Sequence, residues 1–312
     1  MGKILSLGEQ SYAMDLYEVT SAGSENLYCL DVELYGSPKY GAVYILDAER
    51  PAIIDSGTGR NYEWILEALA ELDIAPGDVE VLAPTHVHLD HAGGVGYLAE
   101  ACPNADVCVY ESGSQFLVEP DPIWEGTKDV VGDRLEYYAE PKPVPEQRIV
   151  ELAGGDSVDL GDHALDVHHA PGHAFHQAVF YDPKNDGVFT ADAAGINVPN
   201  RPGVRQTSPP PGFDLEGCLA DVETLEDIDP AALYYGHFGD KETDGLLGEY
   251  RTVIQEWVDR VEAKREELGD DEAVIAYFAD QADTDGPWTA QHARGEERMN
   301  TRGVLHYLDK RE

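Results

Sequence analysis

The chain has 312 residues, and its 21 lysines and arginines against 61 aspartates and glutamates give a formal net charge of −40. This length fits one large domain or two modest ones. The charge argues against nucleic-acid binding, because such proteins use Lys and Arg to neutralise phosphates. No apolar run approaches the roughly 18 residues that a membrane span needs, so we expect no membrane contact.

The cysteines and the start of the chain indicate a cellular compartment. The four cysteines form no Cys-x-x-Cys pair, and we interpret them as core residues in a reducing environment. Residues 1–16 lack the basic region and the apolar stretch of roughly 7–15 residues that a signal peptide requires. We therefore expect a cytoplasmic protein.

The first third of the chain predicts an antiparallel start to a sheet, followed by alternating helices and strands. Strand-like segments alternate with turn residues over 28–55. Apolar residues then recur at helical spacing over 61–74. The apolar run 79–83 predicts a strand, and 94–101 predicts a helix.

Residues 85–91, between that strand and that helix, read Thr-His-Val-His-Leu-Asp-His. Side chains alternate along an extended chain, so His86 and His88 point to the same side. A turn then brings Asp90 and His91 to a neighbouring point. Neutral imidazole and carboxylate suit zinc and other borderline divalent metals, so this segment predicts part of a metal site.

Three later strand-like segments each end in a further potential ligand. His173 lies in a Pro-Gly-His turn, Asp192 ends the segment 187–192, and His237 ends the segment 233–237. Sheets in α/β proteins commonly place functional side chains at strand ends. The sequence therefore offers partners that could complete the site begun at residues 86–91.

The series His-x-His-x-Asp-His, Pro-Gly-His, Asp and His resembles the motifs of the metallo-β-lactamase-fold hydrolases, over about residues 28–239. The resemblance implies an α/β fold, a four-layer αββα sandwich with metals at one edge between two sheets. It implies one metal on His86, His88 and His173, a second on Asp90, His91 and His237, and Asp192 as the bridge. Asp55 resembles the strand-ending Asp of the family's first motif, which supports the metal ligands.

Two segments indicate which branch of the superfamily the chain resembles. Residues 190–195 and 235–239 are similar to an uncharacterised prokaryotic branch near the glyoxalase II-like hydrolases, and the acidic composition suggests a haloarchaeal member. Quorum-quenching lactonases often place a Tyr shortly after the bridging Asp, where this chain has Ala193-Ala194-Gly195. A lactonase is therefore less favoured, although Tyr235 is a candidate replacement.

The first functional hypothesis is a hydrolase that binds two zinc ions, with iron or manganese as alternative metals. Two metals can share a water, acidify it and clamp the oxygens of an ester, thioester, lactone or phosphoester. Asp90 and Asp192 are the candidate catalytic residues, because either carboxylate could carry the proton. The alternatives are a mononuclear-iron persulfide dioxygenase, a lactonase or phosphodiesterase on the same scaffold, and a non-catalytic metal-binding protein.

The substrate is expected to be a small molecule, and few residues indicate its chemistry. Arg201 and Arg205 follow Asp192 in a Pro-rich loop and could receive an anionic substrate, although ordinary surface arginines would look the same. His176 lies three residues after His173 and is a candidate contact to the ligands or the substrate. The remaining histidines stand outside the motifs and are interpreted as ordinary core or surface residues: His163, His168, His169, His292 and His306.

The end of the chain has a different pattern. Apolar residues step by three or four over 243–268, and the segments 272–279 and 290–308 also look helical. We predict a catalytic domain over residues 1–240 and a helical extension over 241–312 that packs on it. The extension could be structural cover, a wall of the substrate cleft or the face of a homodimer.

The charge generates a prediction about salt. Acidic residues are spread along the chain rather than gathered in a tail, which indicates a halophilic, carboxylate-rich surface. At 1 M salt the screening length falls to about 3 Å, so repulsion among these groups is nearly removed. We expect a much lower thermal midpoint in dilute buffer than in molar KCl, measured by calorimetry. Equal midpoints would contradict a halophilic surface.

Overall fold

The computed structural model describes residues 14–284 and 288–311. Within them, two β-sheets pack face to face. The first sheet has seven strands in chain order: β1 (Leu16–Glu18), β2 (Leu27–Asp31), β3 (Ala42–Leu46), β4 (Ala52–Ile54), β5 (Val81–Ala83), β6 (Asp106–Tyr110) and β7 (Ile149–Leu152). The second sheet has six strands: β8 (Ser157–Asp159), β9 (Ala164–His169), β10 (Ala178–Asp182), β11 (Gly187–Ala191), β12 (Ala232–Tyr235) and β13 (Gly239–Glu242).

Helices lie around these sheets and connect several of their strands. The α-helices of the described residues are α1 (Tyr62–Glu71), α2 (Leu89–Ala92), α3 (Val95–Ala101), α4 (Ser114–Val118), α5 (Asp121–Val131), α6 (Leu215–Ile228), α7 (Leu246–Leu268), α8 (Asp271–Asp280) and α9 (Ala290–Arg311). Short 3-10 helices form at Ser21–Gly23, Leu34–Gly36, Glu111–Gly113, Gly132–Tyr137 and Glu146–Arg148. The predicted helices over 61–74 and 94–101 are confirmed, with slightly later starts.

The order and direction of the strands gather several strand ends at one edge. Strands β1 to β4 pair antiparallel, as predicted, whereas β4, β5, β6 and β7 pair parallel. In the second sheet β11 and β12 are parallel neighbours. Parallel neighbours end on the same side, so the residues that follow β4 and β5 lie together, as do those that follow β11 and β12.

Alternating side chains give each sheet two buried faces. In β2 and β3, Cys29 and Tyr44 face the space between the sheets, whereas Leu30 and Val43 face the outer helices. Phe180 and Phe189 of the second sheet complete the inner layer. Each fully buried side chain of this size stabilises the fold by roughly 1.5–3 kcal/mol. The predicted four-layer αββα sandwich is therefore confirmed.

The last helices cover the outer face of the second sheet. Trp257 of α7, Phe278 of α8 and Val304 of α9 share one core cluster with Val188 and Leu233 of the strands beneath them. Strand β13 spans the predicted boundary after residue 240 and pairs with β12. The chain thus passes from the sandwich into the C-terminal helices through a strand of the second sheet.

Two further expectations concern the state of the cysteines and membrane-spanning helices. The four cysteines are all buried and free, as predicted. No helix within the described ranges is both long and apolar enough to cross a membrane.

Helix α6 fixes the turn that carries His173. The backbone N–H of Gly172 donates to Oδ2 of the buried Asp221 at 2.7 Å. A Cβ atom at Gly172 would lie 2.1 Å from the backbone nitrogen of Cys218, so only glycine fits so close to the helix. The Pro-Gly-His turn is therefore held directly against α6.

Asp221 gives the fold a specific pH dependence. Burial raises the pKa of its carboxyl to about 7, which means that the fold favours the protonated form. The stabilisation is present below the unfolded pKa of about 3.9 and is lost as the pH rises through about 7.

We predict that Asp221→Asn, which cannot ionise, gains stability relative to the wild type as the pH rises from 4 to 8. The expected change is on the order of 2–4 kcal/mol, measured by urea unfolding in molar KCl. A difference between the two proteins that does not change with pH would contradict this account.

Candidate metal centre

Three histidine nitrogens converge beyond the end of β5. Nε2 of His86 lies 3.0 Å from Nδ1 of His88, which lies 3.0 Å from Nε2 of His173. Ligands about 2.0–2.1 Å from a tetrahedral zinc are about 3.3 Å from one another. The three nitrogens, which we call the first triad, are therefore spaced as a zinc shell requires.

A second group of ligand atoms lies beside the first. Asp90 and His91 belong to α2, and His237 follows β12. Nε2 of His91 and Nε2 of His237 are 3.2 Å apart, and Oδ2 of Asp90 lies 3.7 Å from the latter. These three residues, the second triad, also have ligand atoms close enough to share one ion.

Asp192 lies between the two triads. Its Oδ2 is 3.1 Å from Nε2 of His173 and 3.6 Å from Nε2 of His91, while its Oδ1 is 3.5 Å from Nε2 of His237. The residue is buried, and Oδ1 has no hydrogen-bond donor among the described residues. A buried carboxylate is costly unless a positive charge compensates it, so the position of Asp192 fits a cation on each side.

The protonation states suit metal binding. Burial lowers the pKa of His86 well below its usual value and that of His88 to about 3, so both imidazoles keep free lone pairs. Burial also opposes protonation of His91, but the carboxylates of Asp55 and Asp192 outweigh it and raise its pKa. Burial opposes ionisation of Asp192, yet the surrounding histidines lower its pKa and keep it ionised. The donor set is one of imidazoles and carboxylates in a field that favours positive charge.

Asp55 orients His91 through Nδ1, the ring nitrogen that faces away from the other ligands. The family resemblance predicted a supporting carboxylate at this position. It follows β4 with a left-handed φ of 62°, a conformation that Asp tolerates better than most residues. Oδ1 of Asp55 accepts from the N–H and the hydroxyl of Thr85, at 2.8 and 2.9 Å. Its Oδ2 lies 2.8 Å from Nδ1 of His91. The Nδ1 proton therefore points to Asp55, so that a metal displacing the Nε2 proton would meet the Nε2 lone pair pointing into the site.

His237 is oriented by a chain of contacts that ends on α9. Its Nδ1 donates to the carbonyl of Tyr40 at 3.0 Å, and the two rings stack with centroids 5.0 Å apart. Burial, and then the charge of the buried carboxylate of Glu296 on α9, raise the pKa of the Tyr40 hydroxyl. Glu296 in turn forms an ion pair with Arg134 at 2.6 Å. No local pattern links these residues, so sequence reasoning missed all three.

A hydrophobic cluster, which we call the aromatic cluster, borders the second triad. Tyr35 and Tyr138 join their hydroxyls at 2.6 Å, and the charge of Asp90 acts on both rings. Trp288 and His292 pack edge-on against Tyr40, with centroids 4.7 and 4.4 Å away. The buried members are Leu34, Tyr35, Tyr40, Leu89, Tyr138, Ile196, Val198 and Trp288.

The structure separates the other predicted site residues from one another. His176 is buried beside the first triad, with its ring centroid 5.2 Å from that of His88. Arg201 and Arg205 form ion pairs with Asp283 and Glu297, at 2.9 and 2.6 Å.

Those two arginines and Tyr235 lie apart from the metal ligands. Arg201 and Arg205 line a cavity of about 390 Å³ that no predicted metal ligand lines. Tyr235 packs in the core beneath the C-terminal helices, and its hydroxyl has no hydrogen-bond partner among the described residues.

The histidines outside the motifs mostly behave as interpreted. His163 is a core residue whose Nδ1 lies 2.8 Å from Oδ2 of the buried Asp182, while its Nε2 has no hydrogen-bond partner among the described residues. His169 stacks on Tyr110 with centroids 4.1 Å apart, and His306 is exposed. His292 differs from these, because α9 brings it against Tyr40.

Comparison with known proteins agrees with this geometry. The sequence pattern of the Metallo-beta-lactamase superfamily matches residues 36–237. The metallo-beta-lactamase fold-containing protein ST1585 of Sulfurisphaera tokodaii is 25% identical over 208 residues, which cover 65% of this chain and 74% of that protein. The acyl-coenzyme A thioesterase MBLAC2 of Gallus gallus is 28% identical over 180 residues, covering 53% of this chain and 62% of the thioesterase.

Solved structures give the same result for the fold. The crystal structure of ST1585 from Sulfolobus tokodaii superposes with a TM-score of 0.66 at 22% identity, covering 90% of this chain and 99% of that one. TTHA1429 from Thermus thermophilus gives a TM-score of 0.58 at 24% identity, covering 92% and 94%. With the family match extending from residue 36 to residue 237, the chain belongs to the metallo-β-lactamase superfamily.

Proposed function

We propose that the protein is a hydrolase that holds two divalent metals, most favourably zinc, and cleaves an ester or thioester bond of a small substrate. The observation that carries this proposal is the buried carboxylate of Asp192 between two triads of ligand atoms. The first triad would hold one ion, the second triad the other, and Asp192 would contact both. Bound metals supply an acidified water and polarise the substrate oxygen.

Asp192 and Asp90 have different roles in the proposed reaction. Asp192 is 3% exposed and its pKa is lowered, so it stays ionised and is poorly suited to carrying a proton. Asp90 is 23% exposed and lies at the accessible side of the second triad. We therefore assign proton transfer between water and the leaving group to Asp90, and charge compensation to Asp192.

Similarity to one relative favours a thioester among the possible substrates. MBLAC2, named as an acyl-coenzyme A thioesterase, is similar to about half of this chain. The alternatives have less support. A mononuclear iron centre would use one triad, whereas here a second triad also has its ligand atoms close together, with separations of 3.2 and 3.7 Å. A lactonase that used Tyr235 would need that hydroxyl near the metals, but its ring packs beneath the helices with Tyr250.

Metal analysis of protein prepared without chelator tests the proposal most directly. We expect two zinc ions per chain and hydrolysis of simple thioesters that is lost on chelation. One iron per chain would instead support the persulfide dioxygenase. A folded protein that binds metal but hydrolyses no ester, thioester, lactone or phosphodiester would support a non-catalytic role.

Replacing Asp192 by Ala tests the bridging role. The substitution removes the carboxylate that both triads share, so we expect metal content and activity to fall together. The measurement is metal per chain alongside the initial rate, with circular dichroism to establish that the variant is folded. Full activity in Asp192→Ala would refute the assignment.

Replacing Asp55 by Asn tests whether the position of the imidazole proton of His91 controls metal binding at the second triad. Asn tolerates the left-handed conformation, and its oxygen can keep the two Thr85 contacts. Its NH₂ group then faces Nδ1 of His91, which must accept, and the imidazole proton moves to Nε2. We expect the second metal to bind about 10–100-fold more weakly, measured by competition with a chromogenic chelator.

A matched control exists elsewhere in the fold. Asp182 also holds a buried histidine, with Oδ2 2.8 Å from Nδ1 of His163 and Oδ1 3.0 Å from the N–H of Lys184. Asp182→Asn should disturb that pair while leaving the affinity for both metals unchanged. Equal metal affinity in Asp55→Asn and the wild type would rule out the orienting role of Asp55.

A further inference from the structure

Helix α9 carries a row of arginines that its own sequence does not neutralise. Arg294, Arg298 and Arg302 are spaced by four residues, so they share one face, and all three are exposed. The positions three and four residues from Arg298 and Arg302 hold no carboxylate: Arg294, Gly295, Met299, Thr301, Leu305 and His306. Like charges at this spacing destabilise a helix, so the row favours an anion supplied from outside it.

The rest of the protein does not supply that anion. The chain has 61 acidic residues for 21 basic ones, and many of its arginines are paired. Arg298 and Arg302 nevertheless form no ion pair or hydrogen bond with any described residue. The neighbouring carboxylates of α9 are already engaged, since Glu296 pairs with Arg134 and Glu297 pairs with Arg205, both at 2.6 Å.

Both of these arginines face a cavity. Arg298 and Arg302 line a space of about 510 Å³ between α9, residues 130–134 and the turn at 35–37. Asp133 also lines it but is paired with neither arginine. His292 lines it as well, is 6% exposed, and has an Nε2 atom without a hydrogen-bond partner among the described residues. Its Nδ1 lies 3.0 Å from the hydroxyl of Ser37, which holds the ring in place.

The cavity adjoins the metal centre through one layer of rings. Tyr35 and His292 line the cavity and also contact Tyr40, with centroids 5.9 and 4.4 Å away. Tyr40 stacks on His237 of the second triad. No member of either triad lines the cavity, so a substrate with its anionic group in the cavity must extend around these rings to reach the metal ligands.

We propose that this cavity binds an anionic group of the substrate, a phosphate or a carboxylate, through Arg298, Arg302 and His292. Guanidinium groups form short, charge-assisted hydrogen bonds with both kinds of anion. The inference rests on the proposed function for the identity of the ligand as substrate. It assigns to Arg298 and Arg302 the role that sequence reasoning gave to Arg201 and Arg205, whose charges are already compensated.

The binding step is tested with inorganic phosphate, titrated calorimetrically into the metal-loaded protein at constant ionic strength. The double variant Arg298→Gln/Arg302→Gln should bind phosphate in the cavity at least about tenfold more weakly. Arg294→Gln is the matched control, because this arginine belongs to the same row but does not line the cavity. Phosphate bound by the metals is common to all variants, so the difference between them reports the cavity. Equal phosphate binding in the wild type and the double variant would overturn the proposal.

The link to substrate is tested by kinetics with two thioesters, acetyl-coenzyme A and the neutral S-acetyl-N-acetylcysteamine. The double variant should raise KM about tenfold for the phosphate-bearing thioester alone, with kcat unchanged, while Arg294→Gln changes neither. An equal rise for both thioesters would overturn the substrate role. If the wild type hydrolyses neither, the proposed thioesterase activity fails, and the phosphate titration still decides whether the cavity binds anions.

Discussion

A carboxylate that water cannot reach must be compensated by something else, and Asp192 imposes that constraint on its surroundings. Its oxygens face imidazole nitrogens of both triads, and none of the described residues donates a hydrogen bond to Oδ1. Transferring such a charge from water costs several kcal/mol unless a counter-charge lies nearby. The convergence of histidines around Asp192 therefore favours a cation at this position, where strand ends of the two sheets meet.

Three of the candidate ligands are held by supports from different secondary-structure elements. The first sheet supplies Asp55 and Thr85, which set the tautomer of His91. Helix α6 holds the turn of His173 through Asp221, and α9 reaches His237 through the packing of His292 on Tyr40. Since the supports come from separate elements, the positions of the ligands depend on how the whole domain packs.

The candidate ligands could be predicted because each lies at or just after the end of a strand-like segment, and the resemblance of their motifs to a known family implied both the ligand set and the layered fold. It could not predict Tyr40, Arg134 or Glu296, which meet only after folding and match no local pattern. It also pointed to Arg201 and Arg205 from proximity along the chain, although pairing decides which charges are available. That pairing depends on α8 and α9 lying against the loop after Asp192, and no periodicity encodes such a contact.

The edge-on packing of His292 of α9 on Tyr40 joins residues separated by most of the chain. Tyr40 holds His237 by its carbonyl and its ring, so the last ligand of the second triad is fully positioned only when α9 has docked. During synthesis on a ribosome, a chain that has emerged only as far as β13 would present every ligand but lack this support.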